Sequence, residues 1–233
     1  MSVAELRKTV RKYSNPEKGK FLQRFFKTGK GEYAEGDIFA GITVPVSRTI
    51  ARQFKSLNFS ELSKVIKSKI HEERLIALFI LVDKMKKTEE KERERIYKFY
   101  LKNLRYVNNW DLVDLSADKI VGEYLFDKKR ELLFKLVRGN LWERRIAVLS
   151  SFNFIKKNDY KTTLKICKLL LNDKKDLIHK ATGWMLREIG KRDLRTEEDF
   201  LKLYYKKMPR TMLRYAIEKF PERKRKSYLF GKI

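Results

Sequence analysis

Proline and glycine are scarce in this chain, four and ten among 233 residues. A β sandwich or barrel needs a tight turn every ten residues or so and draws on these residues to make it, so an all-β fold is disfavoured. Collagen-like and low-complexity classes fall away on the same count. Long apolar runs are missing too: the longest, residues 75–82, is far too short to span a bilayer. The opening residues hold no apolar stretch of the kind a secretory signal requires. One cysteine, Cys167, cannot close an intrachain disulfide, and only His71 and His179 accompany it, so a Cys/His zinc site is disfavoured. Walker-type loops, dinucleotide fingerprints and His-Glu metal motifs do not occur, which sets aside nucleotide-hydrolysing and metalloenzyme chemistry. The expectation is no metal, no cofactor, no membrane association and a cytoplasmic address.

What the chain has is charge of one sign. Lysine and arginine number 56 against 30 aspartates and glutamates, a net +26. Self-repulsion of that size opposes compaction, so a polyanionic partner is the economical explanation. Nucleic acid leads and an anionic membrane surface comes second. A Lys/Glu-rich surface of the heat-adapted kind explains many charges but no excess of one sign. Fifteen phenylalanines, eleven tyrosines and three tryptophans argue against disorder.

The sequence repeats with a period near thirty-five residues. Glu73-Arg74-Leu75-Ile76-Ala77-Leu78 and Arg144-Arg145-Ile146-Ala147-Val148-Leu149 each set arginine before an apolar-Ala-apolar step. Similar steps surround Ala181 and Ala216, so the marker alanines stand 70, 34 and 35 residues apart, with an empty slot near Leu112. Between them, residues 60–69, 89–103, 128–137, 161–171 and 196–206 have helical patterns, the last read as capped by Thr196. A helix pair recurring at this period predicts an all-α solenoid of HEAT-like repeats with a concave, basic face for a long ligand. The expected organisation is one domain over 1–233: less regular helices in 1–58, repeats in 59–220, and a basic tail in 221–233 that frays. Cys167, in helical register with Leu164 and Leu171, reads as inert core.

The slot that breaks the repeat carries chemistry: Asn108-Asn109-Trp110-Asp111-Leu112-Val113-Asp114. Trp110 and Asp114 are i and i+4, on one helical face. Relative to the slot, Trp110 stands where Arg145 stands one repeat later, and Trp184 lies one repeat further. Trp142 differs in phase and is assigned to core. Taken singly, Trp110 reads as core and Asp114 as an ion-pair partner; together in a +26 chain they read as a site.

These segments resemble the AlkD-type DNA glycosylases, the HEAT-like-repeat DNA alkylation repair family. The resemblance rests on residues 41–48 (Gly-Ile-Thr-Val-Pro-Val-Ser-Arg), 110–114 (Trp-Asp-Leu-Val-Asp), 142–147 (Trp-Glu-Arg-Arg-Ile-Ala) and 180–188 (Lys-Ala-Thr-Gly-Trp-Met-Leu-Arg-Glu). It implies that Asp114 is the catalytic carboxylate, that Trp110 and Trp184 flank the damaged nucleotide, and that Arg145, rather than Arg144, is the neighbouring cation. It further implies excision of N3- and N7-alkylated purines from double-stranded DNA without metal or cofactor, the lesion held stacked against an open surface. Thr43, Arg48, Lys156, Lys157, Arg187, Lys191 and Arg192, with the 223–226 tail, are the candidate DNA contacts. A monomer suits a clamp on duplex DNA.

The chemistry fits these residues independently. Alkylation at N3 or N7 gives the purine a positive charge and makes it a good leaving group, so no strong general acid is needed. One carboxylate suffices to stabilise an oxocarbenium-like sugar and position water. Tryptophan faces attract cations by about 0.5–2 kcal/mol each. No lysine stands out beside Asp114 as a Schiff-base nucleophile, so no strand-cleaving lyase step is expected. The alternatives are a non-catalytic repeat protein binding damaged or branched DNA, which needs no Asp114, and a protein-interaction scaffold, which predicts no salt-sensitive DNA binding.

Overall fold

The computed structural model describes residues 1–233, and the fold is all-α, built of stacked helical pairs in a helical-repeat arrangement. Two compact units divide the chain, Met1–Ser116 and Ala117–Ile233.

The first unit opens with α1 (Val3–Lys12) and α2 (Pro16–Phe25) and continues through α3 (Val44–Gln53), α4 (Phe59–Ile66), α5 (His71–Met85), α6 (Glu90–Lys102) and the short α7 (Trp110–Asp114). Local signals start several of these: Ser2 with Glu5, and Asn58 with Glu61, form reciprocal capping boxes, and Pro16 and Pro45 sit in first turns. Helix α5 is the unit's axis. It packs against α3, α4, α6 and α7, and its residues from His71 to Val82 are buried on every side. That explains why residues 75–82 form the longest apolar run: a central helix has no polar face to display. Residues 26–43, between α2 and α3, form turns and one parallel bridge from Ile38 to Ile70.

The second unit begins with a π-helical turn at Asp118–Gly122. It continues through α8 (Glu123–Leu125), α9 (Glu131–Leu136), α10 (Leu141–Ser150), α11 (Phe152–Lys156), α12 (Lys161–Leu169), α13 (Asp176–Gly190), α14 (Leu194–Tyr204), α15 (Arg210–Ala216) and α16 (Glu222–Leu229). Helix α13 is its axis, packed against α10, α12, α14 and most extensively α15. Gly183 makes the α13–α15 approach possible, since a Cβ there would stand 2.4 Å from the Met212 carbonyl oxygen.

The marker positions behave as the repeat requires. Ala77, Leu112, Ala147, Ala181 and Ala216 are all buried, each at 1 % exposure or less. Cys167 is fully buried, and burial pushes its thiol up to about 12, so it is inert core.

Four local expectations are corrected. The cap of α14 is Asp193, whose carboxylate accepts from the Thr196 amide at 3.0 Å and hydroxyl at 2.6 Å; a carboxylate serves the bare amides better than the hydroxyl does. Helix α9 starts at Glu131 rather than at 128, because Arg130 turns back to donate to the Leu125 and Phe126 carbonyls. Trp142 is half-buried rather than core: it lies in the first turn of α10, set by the Asn140–Glu143 capping box. The basic tail is helical as α16, anchored by buried Tyr228 and by Lys224 paired with Glu198.

Candidate functional site

In the first unit the site is built on α7. The Asn109 side chain accepts from the Trp110 amide at 2.8 Å, and the Asp111 carboxylate accepts from the Leu112 amide at 2.8 Å, which starts this five-residue helix. Asp111, Leu112 and Val113 are buried, whereas Trp110 and Asp114 remain half-buried. An i, i+4 pair therefore shares the face that α7 does not bury, as the spacing predicts.

A buried polar chain fixes that helix to α5. His71 Nε2 lies 2.8 Å from Asp111 Oδ2, and its Nδ1 lies 3.3 Å from Asp37 Oδ2. Arg74 Nη2 donates to the other Asp37 oxygen at 2.7 Å, and Asn109 Nδ2 donates to Asp37 Oδ2 at 3.4 Å. Burial opposes charge on His71, yet Asp111 and Asp37 outweigh it and hold the imidazole above its ordinary pKa. When protonated, the ring donates to both carboxylates. Burial likewise opposes the Asp37 carboxylate, but His71 and Arg74 hold it below its usual range.

Trp110 also rests on rings. It stacks on Phe26 (centroids 4.9 Å, 14°) with Phe25 edge-on at 6.1 Å; Phe26 stacks on Phe39 at 4.7 Å, and Phe39 on His71 at 4.2 Å. Phe26, Phe39 and His71 of the column Trp110–Phe26–Phe39–His71 line an open cavity of about 350 Å³, together with Lys18, Thr43 and Asp111. Thr43 is placed there by Glu72. That buried carboxylate accepts from the amides of Ala40, Gly41 and Ile42 at 2.8, 2.8 and 3.1 Å, in a loop where Gly41 takes φ +82°. Thr43 precedes α3 without making a side-chain cap. Arg48, on α3, is exposed and lies over the Phe79 ring at 4.1 Å.

In the second unit, Arg145 is only 5 % exposed, and its guanidinium donates to the Leu177 carbonyl at the start of α13. Arg144 instead pairs with Asp173 at 2.6 Å. Trp184, half-buried on α13, donates from Nε1 to Glu188 at 3.2 Å and lies against Phe152, ring centroids 5.8 Å apart. Glu188 also receives Lys191 at 2.5 Å and Arg192 at 3.2 Å; burial opposes its charge, but these donors hold it below its ordinary range. Arg187 pairs with Glu218, Lys156 with Asp118 at 2.6 Å, and Lys157 with Glu123 at 3.3 Å. These five candidate DNA contacts thus each have a carboxylate neighbour, whereas Arg223 and Arg225 of the tail form no ion pair.

Trp110 and Asp114 meet on α7; Trp184 and Arg187 share α13, with Lys191 and Arg192 in the turn that ends it and Arg145 bonded to its first turn. The sequence reading missed the aromatic column, the His71 chain, the Glu72 clamp and the gathering at Glu188. Only the last had a legible signal, since Glu188 stands i+4 from Trp184. No group of three or more His, Cys, Asp or Glu side chains gathers as metal ligands, and no helix is long and apolar enough to cross a membrane.

A family model described as DNA alkylation repair enzyme matches residues 6–220. Among solved structures, the fold is similar to a protein described as a predicted DNA alkylation repair enzyme from Enterococcus faecalis, with TM-score 0.68 and 18 % identity over 90 % of this chain and 97 % of that one. Comparison with curated proteins returned no match.

Proposed function

This chain belongs to the DNA alkylation repair enzyme family, and from that premise we propose that it is a monofunctional DNA glycosylase. It hydrolyses the N-glycosidic bond of cationic N3- or N7-alkylated purines in duplex DNA. The observation that carries this reading is the pair on α7: Asp114 and Trp110 share its unburied face, and the polar chain through Asp111 and His71 holds that helix in place.

Asp114 stabilises positive charge developing on the sugar and orients the attacking water, as a preorganised carboxylate can. Trp110, stiffened by Phe26, and Trp184, fixed by its bond to Glu188, present ring faces that favour a cationic base over a neutral purine. Arg145 is the cation of this set, and its buried anchoring to Leu177 gives it one fixed orientation. No covalent enzyme intermediate and no strand cleavage follow from these roles.

The test is single-turnover release of N7-methylguanine from a defined duplex by the intact protein and by Asp114→Asn, both first shown to fold and to bind that duplex. Release by the intact protein, slowed about 10²–10³-fold in the variant, is the expected result. If neither excises any alkylpurine while both bind tightly, the protein is a non-catalytic DNA-structure binder and the carboxylate mechanism falls.

A further inference from the structure

A cluster of open cations stands in the first unit, at the far ends of α3 and α5. An open groove of about 680 Å³ is lined there by Arg52, Lys55, Lys84 and Lys87, with the Ser56 and Thr88 hydroxyls between them. None of these four cations has a carboxylate within ion-pair distance, and the one side-chain hydrogen bond among them is Arg52 to Thr49 at 3.3 Å. The two carboxylates on the rim are already engaged: Asp83 with Lys86 at 3.6 Å and Glu92 with Arg95 at 2.8 Å. A second cavity of about 420 Å³ shares Lys87, Thr88 and Glu92 with the groove and extends it past Lys91.

We propose that this groove holds the sugar–phosphate backbone of the bound DNA away from the lesion, a deepening that rests on the DNA-repair reading above. Charge complementarity selects the occupant. Unneutralised cations with hydroxyl donors between them suit a run of phosphodiesters, and the apolar lysine and arginine stems between them suit the sugars. The row is continuous with Arg48. Arg48 and Arg52 stand at i and i+4 on α3, about 6 Å apart along its axis, and Lys55 follows in the turn beyond its C-cap. The carbonyl ends of α3 and α5 oppose an anion here, but each carries only about half a charge, against four full cations. No base edge is read by such contacts, so the groove contributes affinity and no sequence preference.

The experiment is the salt dependence of duplex binding, measured by fluorescence anisotropy on the intact protein, on Lys84→Ala/Lys87→Ala and on Lys84→Arg/Lys87→Arg. Removing one cation from its phosphate should reduce the slope of log affinity against log salt by about 0.9. The alanine pair is therefore expected to flatten the slope by about 1–2, equally for alkylated and unmodified duplex, and the arginine pair to keep it. An unchanged slope in the alanine pair overturns the assignment. So does a defect confined to binding of phosphatidylglycerol vesicles with duplex binding intact, which would make the groove a lipid site. Base release by the intact protein is scored separately, so a protein that excises nothing, yet whose alanine pair flattens the slope, ends the glycosylase reading and leaves the groove assignment standing.

Discussion

In Met1–Ser116 the buried carboxylates of the site all have hydrogen-bond partners, and four cations around one surface groove have no carboxylate within ion-pair distance. In Ala117–Ile233 five of the candidate DNA contacts are paired, and one oxygen of a buried acid lacks a hydrogen-bond partner. Glu72 takes three backbone amides, and Asp37 and Asp111 share one imidazolium. Arg52, Lys55, Lys84 and Lys87 line a groove whose two carboxylates, Asp83 and Glu92, pair with other cations. In the other unit, Lys156, Lys157, Arg187, Lys191 and Arg192 each meet a carboxylate. There Glu197, 2 % exposed, has one carboxyl oxygen without a hydrogen-bond partner, and burial together with Glu198 pushes it up to about 8. The lesson is that net charge announces a polyanionic partner but does not locate it. A lysine already facing a carboxylate must exchange that partner for a phosphate, and so binds more weakly than one that is free.

Four measurements sharpen or break this contrast. The largest effect is expected at Glu72→Ala, which strips three charge-assisted hydrogen bonds from buried amides and should cost about 3 kcal/mol or more in urea unfolding. A cost below about 1 kcal/mol would mean that the loop before α3 holds itself. Next comes Glu197. Its folded pKa is raised above the unfolded value, so its contribution to stability is full below about pH 4.5 and is lost as pH rises toward 8. That loss should run at up to about 1.4 kcal/mol per pH unit in urea unfolding across this window, and Glu197→Gln should flatten it. His71 changes in the same direction, its share being complete below its unfolded pKa of about 6.5 and lost as pH climbs through the raised folded value; the Glu197→Gln curve should keep that residual slope.

Smaller again, Trp110→Ala and Trp184→Ala should each reduce preference for a cationic over a neutral alkylpurine by about 0.5–2 kcal/mol, read as the ratio of excision rates. Equal loss on both substrates would assign the rings to shape alone. The smallest effect is expected for Lys191→Ala/Arg192→Ala, which should change the salt slope of duplex binding by less than one phosphate's worth, about 0.9, because Glu188 already holds both cations. A change matching that of the Lys84/Lys87 pair would abolish the distinction between open and paired cations.

Much of the fold was legible because repeat periodicity and capping act over a few residues. Ala77, Ala147, Ala181 and Ala216 mark buried positions, as the repeat requires. Local rivalry defeated the reading where two neighbours compete for one task, as Asp193 and Thr196 do at the cap of α14. The site was half legible. Trp110 and Asp114 share a helix face by spacing alone. Phe26, however, stands 84 positions before the ring it supports, and Asp37 and Asp111 stand 34 and 40 positions from the histidine that joins them.

The sequence by itself determined that the chain is helical, repetitive and strongly cationic, and which short segment departs from the repeat. These properties follow from composition and from contacts within one or two turns. Only the tertiary structure decided which charges are neutralised, that the column of rings under Trp110 ends on His71, and that four lysines and arginines at the ends of two helices and in the turns after them converge on one groove. Coulomb attraction and ring stacking depend on distance in space, and residues far apart in the chain become neighbours only when the helices carrying them pack.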